Sequence, residues 1–383
     1  MRAPDKNPDV VAKKACYVGV DGKARNVKKI YVGVDNKARK VKKAYVGVGG
    51  VARPFFSAGP GVEYYGQVTP LSQARPRLTA TTVGNYGLFG GGGNDDAGFT
   101  TLDAYNASLV RSTPSALARA RYDLAATTVA TYGLFAGGET NISTHWSFVD
   151  AYTSSLVHSY PISLGYARGN LAAATVGGFA LFGGGWNGSR SSWVDAYTSS
   201  LARSYPSQLS FSASALAATT VGGYALFGGG VSESYAAWVN AYSTSLVRQS
   251  ITSLSEERAR LAATTVGNYA LFGGGYNQWG TWAVDAYNGS LVRSTPTHLR
   301  GAVYDLAATT VRGFALFGGG FSSQYSDTVD AYNTSLVQST PTDICRGRSY
   351  LAATTVGDYA LFGGGRDTYF ADSVDAYTVE GGG

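Results

Sequence analysis

The fifteen-residue passage LAATTVGNYALFGGG, residues 261–275, recurs with light changes along most of the chain. Its copies begin at Leu78, Leu124, Leu171, Leu216, Leu261, Leu306 and Leu351, at spacings of 46, 47, 45, 45, 45 and 45 residues. A period this long marks a chain built from one supersecondary unit, repeated because a single unit cannot bury its own apolar face. A period near 45 residues matches a blade of four strands.

Each copy reads as such a blade. LAATTV is the first strand, a two-residue link such as Gly267-Asn268 turns the chain, and YALFGGG is the second strand. Glycine beside Asn, Asp or Gly suits the positive φ of a tight hairpin. After a variable segment, VDAYNGSLVRST supplies strand three, an Asn-Gly turn and strand four. The seventh copy stops after its third strand. Upstream, VEYYGQVTPLSQARPRL aligns with SLVRSTPTHLRGAVYDL of a later copy. Residues 62–69 are therefore predicted to supply the outer strand of blade seven and tie the ends of the domain together, which removes an exposed sheet edge.

Composition agrees with an all-β chain. Of 383 residues 44% are hydrophobic, enough for a sizeable core, while 15% are charged, below the roughly 25% of average soluble domains. The net charge of +6 divides unevenly, since residues 1–56 hold 14 of the 31 Lys and Arg against 4 Asp, and all ten lysines. Only this N-terminal segment is basic enough to seek an acidic partner. Within it, ACYVGVDGKARNVKK, IYVGVDNKARKVKK and AYVGVGGVARPFF read as three short hairpins turning at Asp21-Gly22, Asp35-Asn36 and Gly49-Gly50. Hairpins this small need neighbours or other copies for stability, so a homo-oligomer is expected. Two domains follow: residues 1–56, a basic attachment or oligomerisation segment, and residues 57–383, the propeller.

The long repeat resembles the kelch propellers, in the double glycine of YALFGGG and the downstream tyrosine of VDAY. It departs from them where SLVRS replaces the usual fourth-strand tryptophan. The resemblance implies an all-β, seven-bladed kelch-like β-propeller closed by an N-terminal strand and preceded by a small β-hairpin segment. KKIYVGVDNKARKVKK is similar to segments near the start of phage and prophage structural proteins of Gram-positive bacteria. That similarity implies a virion protein, a tail fibre or receptor-binding component, assembled in a bacterial cytoplasm.

In a meandering blade the connections alternate between the two ends of the sheet. Links one-to-two and three-to-four share one face, and links two-to-three and four-to-one share the other. The first pair is nearly constant and the second holds most of the variation. Loops varied on a rigid scaffold are a common arrangement for recognition. All six tryptophans lie between strands two and three. The candidate ligand-binding residues there are Trp146, Trp186, Trp193, Tyr235, Trp238, Tyr276, Trp279, Trp282, Phe321, Tyr325, Tyr369 and Phe370. Aromatic rings beside amides and hydroxyls suit carbohydrate faces and protein hot spots alike. Trp193 and Trp238 also fit the start of strand three, packed between blades.

Asp103, Asp150, Asp195, Asp285, Asp330 and Asp375 recur at one position, with Asn240 in blade four, and are read as structural. His145, His158 and His298 show no metal-ligand spacing. Asp95, Asp96, Glu233 and Asp367 are scattered carboxylates, so no enzyme, metal or cofactor is expected. Lys28, Lys29, Arg39, Lys40, Lys42 and Lys43 are read as docking residues for other virion proteins, with nucleic acid the weaker alternative. Neither a signal peptide nor a membrane-inserting segment is legible. Cys16 and Cys345 form no disulfide framework. The reading from sequence is a receptor-binding virion protein whose propeller takes a bacterial surface glycan or protein. Structural decoration or scaffolding without receptor binding is the alternative.

Overall fold

The computed structural model describes residues 61–379 apart from Ile142, together with the strands between residues 17 and 57. The chain divides into two compact units at Gly61/Val62. The first contains three antiparallel hairpins: Tyr17–Val20 with Lys23–Asn26, Tyr31–Val34 with Lys37–Lys40, and Lys43–Val48 with Val51–Ser57. They follow the short repeat unit by unit. Of the expected docking residues, Lys28, Lys29 and Lys42 lie outside the described residues, as do the side chains of Arg39, Lys40 and Lys43.

The second unit is a seven-bladed β-propeller of seven four-stranded antiparallel sheets, with no helix among the described residues. Blade five is representative: Ala262–Val266 lies innermost, followed by Tyr269–Gly273, Val284–Asn288 and the short outer strand Arg293–Ser294. Each innermost strand packs on the next, and the last, Ala352–Val356, returns to the first, Thr79–Val83. Blade seven takes its outer strand from Val62–Val68, paired with Val374–Val379. The N-terminal closure read from the strand count is therefore present.

The core lies between blades. Strand two is buried along nearly its whole length, because both faces of a blade pack against neighbours. Leu271 and Phe272 are fully buried, each contributing about 1.5–3 kcal/mol. Phe272 meets Tyr287 edge-on at 6.0 Å. The Tyr287 hydroxyl then donates to the Thr252 carbonyl of the preceding blade at 2.8 Å. The same tyrosine bond recurs in all seven blades, from Tyr105 to Tyr377. The glycine run follows from this packing. A Cβ on Gly273 would come within 2.7 Å of the Phe317 ring in blade six, and Gly274 has a φ of +66°.

The link between strands three and four differs from the expected tight Asn-Gly turn. Four residues separate Asn288 from Arg293, and Leu291 takes a φ of +63°. The Asn288 side chain accepts from the amides of Ser290 and Val292, both at 3.0 Å. A side-chain acceptor thus organises the loop in place of the two-residue backbone turn. Asn106, Thr153, Ser243 and Asn333 do the same in other blades.

Candidate functional site

The recurring aspartates are framework groups, tied to an arginine three residues before each blade's first leucine. Arg75–Asp103, Arg121–Asp150, Arg168–Asp195, Arg258–Asp285 and Arg348–Asp375 are joined at 2.5–2.9 Å, with side chains at most 1% exposed. Each of these carboxylates also accepts a backbone amide from the four-to-one loop. The pairs lock the variable loops to strand three. Blade four has Ala213 at the arginine position and Asn240 at the aspartate position, with Phe211, Ala213 and Ala236 packed together. Blade six has Val303 there, and Asp330 turns to the half-exposed Arg300 and to Gln338. Burial raises the Asp330 carboxyl above the usual range.

Above this layer the two variable loops of each blade are joined by backbone bonds. Tyr276 and Ala259 exchange hydrogen bonds at 2.8 and 3.0 Å, and Trp186 and Gly169 at 2.8 and 2.9 Å. The residue preceding each leucine then forms a ring round the propeller axis. Arg77, Asp123, Asn170, Ala215, Arg260, Asp305 and Tyr350 each donate a backbone N–H to the carbonyl of the one before, and Arg77 closes the circle on Tyr350, at 2.8–3.0 Å throughout. All seven have left-handed backbone, with φ between 51° and 59°. Such a conformation costs a non-glycine residue on the order of 1 kcal/mol, and the closed ring of hydrogen bonds holds it.

Inside the ring is an open cavity of about 490 Å³, lined by these seven residues and floored by the seven leucines. Its side chains break the sevenfold repeat. Arg77 pairs with Asp123 and, at 3.1 Å, with Glu139, and lies 3.8 Å over the Tyr122 ring. Arg260 pairs with Asp305 and the Tyr350 hydroxyl and lies over Tyr304. Burial, and then the nearby Asp123 charge, raise Glu139 to about 7. Burial likewise raises Asp305 to about 6 against the lowering effect of Arg260. His145 sits 3.2 Å from Glu139 on an extra hairpin, Glu139–Asn141 with Thr144–His145, and burial lowers its pKa.

The expected aromatic residues fall into three groups. Tyr235, Tyr276, Phe321 and Tyr325 form one arc beside the cavity, joined through Tyr304 at ring separations of 4.8–5.7 Å. Trp279 and Tyr369 stand at loop tips, 79% and 75% exposed. The others make local contacts of their own. Trp193 packs on Tyr166 at 4.5 Å, Trp238 on Phe211 at 4.7 Å, and Trp282 lies 6.3 Å from His298. Trp193 and Trp238 immediately precede strand three, and Trp238 remains 48% exposed. Trp146 is held by Thr140 and Phe148, while Arg190 lies over Trp186 and Arg366 over Phe370. Asp95 pairs with Arg366 and Asp367 with Arg346 on the outer loops. Among the described residues no group of three or more His, Cys, Asp or Glu could hold a metal ion.

The axial residues escaped the reading from sequence, although a signal was present. The position before each repeated leucine varies freely, and Tyr-Asp occurs there twice, at 122–123 and 304–305, each time one blade after an arginine, Arg77 or Arg260.

Fold and site together define the class, a seven-bladed β-propeller with one diversified loop face and an axial cavity. Among solved structures the chain is similar to YjhT, with a TM-score of 0.54 and 10% sequence identity over 82% of this chain and 99% of that one. That likeness concerns the fold alone. No protein-family model and no curated protein matches the sequence.

Proposed function

We propose that this protein is a non-enzymatic recognition component of a phage-like particle, and that its loop face engages a bacterial surface glycan. The observation that carries the reading is the concentration of non-repeated side chains on one face. Large apolar rings stand in water there, with Trp279 79% exposed, Tyr369 75%, Trp282 54% and Trp238 48%. Exposed aromatic rings beside polar groups mark a binding surface.

The particle setting rests on the resemblance of KKIYVGVDNKARKVKK to segments near the start of phage structural proteins. In this reading residues 1–56 dock the chain to other virion proteins or to its own copies, and many weak sites on one particle act together. A test is retention of the full chain on purified bacterial surface polysaccharides beside Trp279→Ala and Tyr369→Ala. Saturable retention that falls in both variants supports the reading. Retention by none of the polysaccharides, with capture only by virion proteins, returns the propeller to structural decoration.

A further inference from the structure

We infer that the axial mouth is a second binding site, separate from the aromatic loop tips, that takes one neutral polyhydroxylated ring of monosaccharide size. The inference draws its ligand chemistry from the recognition reading above, but none of its residues is an exposed loop-tip aromatic.

Two arginine–aspartate couples carry it. Arg77 and Arg260 occupy the first and fifth of seven ring positions, and each pairs with the aspartate one blade on, Asp123 or Asp305. The hydrogen bonds of both arginines use Nε and Nη2. Nη1 of each has no partner among the described residues, and the side chains are 31% and 32% exposed. The couples are separated by Tyr350 on one side and by Asn170 and Ala215 on the other. The Asn170 amide has no side-chain partner among the described residues and supplies one donor group and one acceptor.

The mouth therefore offers guanidinium N–H and amide donors beside carboxylate, amide and phenol acceptors, all on a rigid ring. Neighbouring hydroxyls that each donate and accept match that alternation. The leucine floor gives an apolar surface for the C–H face of a sugar ring, and the cavity volume of about 490 Å³ falls within the roughly 300–1,000 Å³ usual for small-ligand sites.

Charge selects among saccharides. The aspartates already neutralise both arginines, so a carboxylated sugar meets no free cation. Glu139 is the one extra acid, and it is buried and paired with Arg77 at 3.1 Å, so an amino sugar meets no free anion.

The test is calorimetric titration of the full chain with glucose, galactose and N-acetylglucosamine, and with glucuronate and glucosamine as charged counterparts. Saturable one-to-one binding of at least one neutral sugar is expected, tighter than for its charged counterpart. Ala215→Tyr should weaken it at least about tenfold by filling the mouth. Tyr350 adopts the same backbone with the same side chain, so this variant should fold, as its melting temperature would show. Asn170→Ala, which leaves both ion pairs intact, should weaken binding also. The proposal is overturned if no neutral sugar saturates the protein, if glucuronate or glucosamine binds more tightly, or if Ala215→Tyr binds like the parent. Trp279→Ala should leave the sugar titration unchanged. A chain that binds the monosaccharide but no polysaccharide would keep the axial site and refute surface recognition.

Discussion

Ala213 and Asn240 face each other across the loop-to-strand contact where five other blades hold a buried arginine and aspartate. Asn240 still receives the Ser210 amide at 2.7 Å and donates to the Ser210 hydroxyl at 2.8 Å. Loss of the cation thus coincides with loss of the anion, as expected if a buried charge is tolerated only with its partner.

In blade five, Asp285→Asn should destabilise by about 3–5 kcal/mol because it strands the fully buried Arg258, and Arg258→Ala by less because Arg293 remains 3.6 Å from Asp285. The double variant restores the Ala–Asn pair of blade four, but Glu256 and Thr281 stand where blade four packs Phe211 and Ala236, so it should recover only part of the loss. Denaturant unfolding of the four proteins gives the coupling directly.

Threonine hydroxyls form a second ring on the innermost strands. Thr82, Thr128, Thr175, Thr220, Thr265, Thr310 and Thr355 each donate to a neighbouring blade's carbonyl. The threonine preceding each pairs with the next ring member, as Thr127 does with Thr175 at 2.8 Å. Ala174 stands at that position in blade three. Ala174→Thr should complete the set opposite Thr220 and stabilise by about 0.5–1.5 kcal/mol, measured as a higher unfolding midpoint.

The architecture was legible because each feature is written seven times. Repeat spacing set the blade count, and the strand missing after Val374–Val379 was found in Val62–Val68. The axial ring was not legible for the opposite reason. Arg77, Asp123 and Asp305 are single variations whose meaning depends on closure, which sets residues of adjacent blades side by side although they lie about 45 positions apart. The aromatic residues were visible by type. Their grouping was not, because Tyr304, which links Tyr276 to Phe321, belongs to the other variable loop.

Glu139 makes stability depend on pH. Its carboxyl is raised in the folded state to about 7, so between about pH 4 and 7 the folded chain binds more protons than the unfolded one, and this group's contribution falls as pH rises. Glu139→Gln should be about as stable as the parent near pH 5 and more stable at pH 8 by on the order of 1–3 kcal/mol, read as a higher melting temperature there. Equal melting temperatures at both values would contradict the assignment.

Exposure separates binding from packing among the tryptophans. Trp279→Ala should leave the melting temperature unchanged and weaken polysaccharide binding on the order of tenfold, the loss of one aromatic anchor. Trp193→Ala should lower stability by about 1–3 kcal/mol, since its ring packs on Tyr166 and Tyr205. Paired melting and binding curves distinguish the two.

The most direct test of surface recognition is equilibrium binding of the full chain to purified bacterial surface polysaccharides, with Trp279→Ala/Tyr369→Ala measured beside it. The account predicts saturable binding by the parent and its loss in the double variant at unchanged melting temperature. Binding that is absent, or equal in both proteins, would contradict it.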